Sequence, residues 1–314
     1  MTKNTKIWLN YSAGAIISLF LLWNIYLQIT RQTDLISSGV WKHTGPLGWF
    51  GLSILLMFVN TSLESYKWYV LTNSVEKICY SRVLASYLAG ISFSIITPNR
   101  IGEYPGRILY LGRSNTFRYI NVSILGIMSQ LSAVYLFGLF GLIYYNIAFP
   151  SLNGKAGLGA CLMATIFLIV VYWKFELWLP LLAKLKWLKR FATYGQLLKR
   201  VTTKRQILIL GVSLLRFIIF SAQYLSLLRW MNVPVPLFDG FCMAALFFWI
   251  MAVIPGIALT ELGIRGSVSI FIFKHFSLNI TGILAATAGI WLLNLIIPSV
   301  IGSILILRMR WLRL

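Results

Sequence analysis

The chain has 314 residues, 59% of them hydrophobic and only 11% charged, with a mean hydropathy of +0.80 and a net charge of +21. Soluble globular domains carry about 25% charged residues, so this composition excludes a soluble enzyme. It also removes nucleic acid as the reason for 28 Lys and Arg against seven Asp and Glu, because the positive-inside rule and anionic headgroups account for such an excess in a membrane chain.

The first apolar run, Trp8–Ile29, follows Lys3 and Lys6 as a signal peptide would. It is long for the apolar part of a signal and has no small-x-small site before Arg31, so it reads as a retained first span, 7–29. Further apolar segments follow at 46–66, 83–97, 119–147, 158–173, 206–229, 238–254, 256–273 and 281–307. A span needs roughly 20 apolar residues and must satisfy its backbone internally. The fold class predicted is an all-α polytopic integral membrane protein, one domain over 1–314.

Charge placement orders the segments. The block 174–205 holds nine Lys or Arg against Glu176 alone, whereas the connector 149–157 holds only Lys155. The first belongs inside with both termini, the second outside. Nine full spans would violate this. Segment 83–97 is short, since 15 residues at ~1.5 Å cover about 22 Å of a core of roughly 30 Å. Pro98 and Pro105 then break the helix. A re-entrant hairpin at about 83–116 resolves the count and leaves Lys67–Arg82 as a cytoplasmic connector. Glu261 and Arg265 would each cost about 2.5–3.5 kcal/mol facing lipid. A second hairpin at about 238–275, broken near Pro255-Gly256, avoids that. The expectation is six full spans and two opposed re-entrant hairpins, as in an inverted repeat. Within 174–205, Leu177, Trp178, Leu181, Leu182, Leu185 and Leu188 recur at helical spacing beside Lys184, Lys186 and Lys189. This suits an in-plane amphipathic helix, with a plain connector of snorkelling lysines as the alternative.

Two stretches carry ionisable groups into the apolar body. "TPNRIGEYPGR" (97–107) supplies Arg100, Glu103 and Arg107, and "IPGIALTELGIRG" (254–266) supplies Glu261 and Arg265. Both set a Glu four residues before an Arg. Arg216 lies near the middle of 206–229. Ionisable groups at such depth are functional candidates by default, and buried ion pairs bracing the broken helices are the structural alternative. Four arginines against two glutamates favour an anionic ligand. Guanidinium forks suit phosphate, and in a membrane a phosphate-bearing ligand is a lipid headgroup. In that reading the arginines hold the phosphate, while Glu103 and Glu261 orient them.

The first stretch resembles the T-P-x-R-x-G-E element of the lysylphosphatidylglycerol synthase transmembrane region, also called the flippase-like family. "PGIALTELGIRGS" is similar to a later glycine-rich element of that family, with Glu261 where a glycine is usual and Gly266 where a glutamate is usual. The likeness spans nearly the whole chain, including "YKWYVL" (66–71), near where members carry a basic-Trp pair. It implies a stand-alone lipid-translocating module without the synthase half, in the bacterial cytoplasmic (inner) membrane, with Arg100, Glu103 and Arg107 in one headgroup-contacting hairpin and Glu261 and Arg265 in the other.

No HExxH, GxSxG or P-loop is present, so no enzyme is expected. His43 and His275 lie near segment ends, Asp34 and Asp239 are isolated, and Cys79, Cys161 and Cys242 are far apart without CxxC. No metal site or cofactor is therefore expected. The partners expected are an anionic lipid and the bilayer; a homodimer is allowed but not required. A membrane-embedded transferase acting on a polyprenyl-phosphate or phospholipid is the alternative function, and a non-transporting partner subunit the second. Single cysteines at Asn153 and Gly195, in a background lacking the native three, should label from opposite sides of intact cells; labelling from one side would overturn the topology.

Overall fold

The computed structural model describes residues 44–95, 97, 100–112, 115–150, 152–174, 202–254 and 261–307, with helical positions also at 16, 19, 20, 23, 26 and 27. At 152–156 and 261–262 only the helix path is described. Most of the expected span 7–29, the basic segment 175–201 and the break at Pro255-Gly256 fall outside these residues.

Every regular element among the described residues is helical. In chain order they are α1 (Leu47–Thr72), α2 (Tyr80–Ser94), α3 (Glu103–Leu111), α4 (Thr116–Ala148), α5 (Leu152–Trp173), α6 (Thr203–Trp230), α7 (Leu237–Val253), α8 (Glu261–Phe273), α9 (Ile280–Trp291) and α10 (Ile297–Leu307). A π turn, Leu292–Ile296, joins α9 to α10 into one run of 28 residues. That run, α1, α4 and α6 are long and apolar enough to cross a membrane. Pro298, just after the π turn, has no N–H to offer the Asn294 carbonyl four residues back, and the N–H of Ile297 donates to Leu292 O, five residues back.

α1 and α6 pack along each other at the centre, with α4 and the α9–α10 run against them. Small residues set the closeness, as expected where lipid supplies no drive between helices. The buried face of α4 includes Ser123, Gly126, Ser129, Ser132, Ala133, Gly138 and Gly141. A Cβ at Gly141 would fall 2.7 Å from Leu246 N, so α7 lies directly on α4 there.

The two short-helix pairs open toward opposite ends of the bundle. Arg82 at the start of α2 donates from Nη2 to Leu111 O at the end of α3, 3.0 Å away, so that pair starts and finishes together. Glu76, just past α1, accepts from Tyr119 near the start of α4 at 3.3 Å, which places the ends of α1 and α3 at one pole. At the other pole Gly45 N donates to Trp230 O at 2.7 Å. There Phe238 of α7 and His275, just past α8, meet Tyr144 and Phe149 at the end of α4, with ring centroids 5.9 and 4.3 Å apart.

One expected boundary is corrected. Lys67 is not the start of a cytoplasmic connector: α1 continues to Thr72, and Lys67 is only 3% exposed. Its ammonium lies 2.7 Å from Glu64 Oε2 one turn earlier, which lets a lysine stay inside the helix bundle.

α2 and α3 meet at two glycines. A Cβ at Gly90 would stand 2.5 Å from Glu103 O, and one at Gly106 3.0 Å from Gly90 Cα. Gly90→Ala should therefore lower the thermal midpoint in detergent, by the ~1–3 kcal/mol typical of overpacking. Gly51→Ala, where nothing lies within 4 Å of the new Cβ, should leave it unchanged or slightly raised.

Candidate functional site

The ionisable residues of the interior converge on Glu64 of α1. Its Oε1 accepts from Arg107 Nη2 of α3 at 2.9 Å, and its Oε2 pairs with Lys67 Nζ and with Arg216 Nη1 of α6, each at 2.7 Å. Arg107 also pairs with Glu103, one turn earlier in α3. One carboxylate thus holds three helices together. Removing one partner of a buried pair costs about 3–5 kcal/mol, and here three cations share one acid.

Arg107 is enclosed. It is 2% exposed, and its guanidinium carbon lies 5.5, 4.7 and 5.2 Å from the ring centroids of Trp68, Tyr87 and Tyr104. These are cation–π distances. Trp68 donates from Nε1 to Ser86 Oγ at 3.1 Å, and Ser86 donates to the backbone carbonyl of Arg107 at 3.0 Å. The cage is therefore braced from α1 and α2 as well.

Arg216 is placed differently. Its Nε donates to Asn60 Oδ1 at 2.9 Å and its Nη1 also reaches Gln130 Oε1 at 3.0 Å. Asn60 Nδ2 donates to Asn294 Oδ1 (2.8 Å), Asn294 Nδ2 to Gln223 Oε1 (2.9 Å), and Gln223 Nε2 to the Ser53 carbonyl (3.1 Å). The donations run one way, from guanidinium to backbone carbonyl, so turning over one amide would oppose two donors or two acceptors. Asn294 sits in the π turn, a distortion frequent at functional sites.

Arg216 borders a partly open cavity of about 440 Å³. Arg100, Gln130 and Arg265 supply its other polar groups, and Phe217, Phe220, Phe248 and Met251 its apolar wall. Three guanidinium groups and no carboxylate border it among the described residues. Arg100 comes from the α2–α3 turn, Arg216 from α6 and Arg265 from α8, so both short-helix pairs reach this one space. Arg100 has a left-handed backbone, φ 57°, which a residue with a side chain adopts at a cost of order 1–3 kcal/mol. Its N–H donates to Thr97 O at 3.3 Å, and Thr97 Oγ1 accepts from Gly102 N at 2.8 Å, which fixes the turn.

Of the six residues read from the sequence, Arg100, Arg216 and Arg265 border the cavity. Glu103 and Arg107 lie in the ion cluster and do not border it. Glu261 opens α8 one turn before Arg265, and its side chain is outside the described residues. Glu64, Lys67, Asn60, Gln130, Gln223 and Asn294 were not singled out. Asn60, Glu64 and Lys67 recur at i, i+4 and i+7, a polar stripe on one face of an otherwise apolar helix. That stripe was the available signal. Among the described residues no cluster of His, Cys, Asp or Glu could hold a metal.

Glu64→Gln should lower the thermal midpoint in detergent more than Glu103→Gln, because it leaves three cations rather than one short of a partner. Adding Lys67→Met to Glu64→Gln should recover part of the loss. If the double variant is no more stable than Glu64→Gln alone, Lys67 is not held by this charge.

No curated protein matches the chain. The family description Lysylphosphatidylglycerol synthase TM region matches residues 11–302. That covers both short-helix pairs, the ion cluster and the cavity, and the chain belongs to that family of membrane domains.

Proposed function

We propose that the protein moves an anionic, phosphate-bearing lipid between the two leaflets of the membrane. The observation that carries this reading is the cavity of about 440 Å³, lined by three arginines together with Phe217, Phe220 and Phe248. Its size is that of ordinary ligand pockets, roughly 300–1,000 Å³. Its walls suit an amphiphile, since guanidinium forks take phosphate oxygens in pairs while the aromatic wall takes apolar parts.

Arg100, Arg216 and Arg265 are the proposed phosphate contacts. Glu103 and Arg107 brace the α2–α3 pair against α1, and Glu261, four residues before Arg265 in α8, is the residue proposed to orient it. The two short-helix pairs are the proposed re-entrant hairpins, entering from opposite faces. Broken helices meeting at a central site give a transporter one fixed binding place and two gates. Family membership supports a lipid-related membrane role. The proposed setting is a bacterial cytoplasmic membrane, with both termini on the cytoplasmic side.

The test is leaflet exchange of a labelled anionic lipid in vesicles containing the purified protein. A charge-assisted hydrogen bond contributes about 1.5–3 kcal/mol, so Arg265→Gln and Arg100→Gln should each slow exchange about 10- to 100-fold at unchanged thermal midpoint. Lys184→Gln should change little. Exchange equal to protein-free vesicles would sink the transport reading. Mass-spectrometric recovery of the lipid with an altered headgroup would favour the transferase.

A further inference from the structure

The face of α4 that borders the arginine cavity continues beyond it. Gln130, Leu131 and Val134 border the cavity. Thr116, Ile120, Ser123, Ile124 and Ile127 border a second cavity, of about 360 Å³, between α4 and α3. Their three- and four-residue spacing places all eight on one stripe of the helix. From Thr116 to Val134 that stripe is about 27 Å long at ~1.5 Å per residue, close to the roughly 30 Å of a hydrocarbon core.

The second cavity is apolar throughout. Ser123 donates its hydroxyl to Tyr119 O at 2.7 Å, so hydrocarbon is what it offers the wall. Opposite stand Tyr104, Pro105, Ile108 and Leu109 of α3. α3 is thus a partition: Glu103 and Arg107 face the ion cluster, Gly106 packs on α2, and Tyr104, Pro105, Ile108 and Leu109 face the groove. The Tyr104 ring, 5.2 Å from the Arg107 guanidinium, closes the boundary. A groove with this lining offers water no hydrogen-bond partner, and left unfilled it forfeits dispersion contacts along its walls.

We propose that this groove holds a hydrocarbon chain of the lipid whose phosphate the arginines hold; the inference rests on the transport reading above. Continuity selects the occupant. Ile127 and Gln130 are less than one turn apart on the same face, so a molecule with phosphate beside Gln130 has its apolar part next to Ile127. The ligand class is then a lipid with a chain long enough to follow α4, bound at two points, rather than a headgroup alone.

The test places a photoreactive benzophenone side chain at Ile124, in the groove, and separately at Phe140, on an exposed part of α4. The protein is reconstituted in phosphatidylcholine vesicles with a minor share of long-chain phosphatidic acid. The Ile124 probe should label phosphatidic acid several-fold above its share, and Arg265→Gln should abolish that preference. The Phe140 probe should label both lipids in proportion to their abundance. Labelling in proportion at Ile124, or crosslinking there to residues 7–29 or a second copy, would overturn the groove. Should the Ile124 variant not fold, Leu109 on the opposite wall takes the probe. Binding of a short-chain phosphatidic acid in detergent separates the two readings. If it binds in an Arg265-dependent way while the probes show no preference, the groove alone is wrong; if it does not bind, the phosphate site and the groove fall together.

Discussion

The interior of this protein depends on one carboxylate. Glu64 is 3% exposed, and both its oxygens are engaged by cations from α1, α3 and α6. A charge so buried survives only when it is paired and hydrogen-bonded. The reverse holds for the cations, since Lys67, Arg107 and Arg216 would repel one another without it. Because α3 is the returning arm of a short-helix pair, the same contact joins that arm to α1 and α6, while α2 packs on α10, where Ser92 donates to Ser299 O at 2.7 Å. Hydrophobic burial does little of this in lipid, so position comes from polar contacts and from glycine-mediated closeness.

The ion cluster and the cavity share Arg216 and Gln130, and this sharing gives the amide chain a purpose. A carboxylate at position 60 would fix the guanidinium equally well but would add a second negative charge beside Glu64. Asn60 fixes it without charge, and Asn294, Gln223 and the Ser53 carbonyl fix Asn60 in turn. The chain also explains why the π turn at Leu292–Ile296 matters to a site on another helix. It sets the register at which Asn294 faces Asn60.

The helical class and most spans were legible because lipid forces a simple code: apolar runs of sufficient length, charge at the ends. Arg100, Arg216 and Arg265, which border the cavity, stood out in the sequence because ionisable groups in apolar runs are rare. Lys67 escaped because the second segment was ended at residue 66, and Glu64, inside that segment, was left without the partner one turn later that marks the stripe. The helix runs on through Thr72 because the Glu64–Lys67 pair removes the cost that the boundary assumed. Asn60, Gln130, Gln223 and Asn294 were weaker still. Each is one amide in a long apolar helix, and only the packing of α1, α4, α6 and the π turn makes them a chain.

The repeated Glu-x-x-x-Arg spacing turns out to hide an asymmetry. In α3 it brings Glu103 onto Arg107 and turns both toward Glu64, so the arginine nearest the cavity in that stretch is Arg100, held in a left-handed turn. In α8 the corresponding arginine, Arg265, is itself at the cavity. Similar spacing thus supplies a structural arginine from one pair and a cavity arginine from the other. The division follows from charge. Arg107 is enclosed by two carboxylates and three aromatic rings, whereas Arg265 borders a space that no carboxylate among the described residues lines. Positive charge in this chain is therefore of two kinds, one that holds the helices and one that faces the cavity, and Arg216 is where they meet.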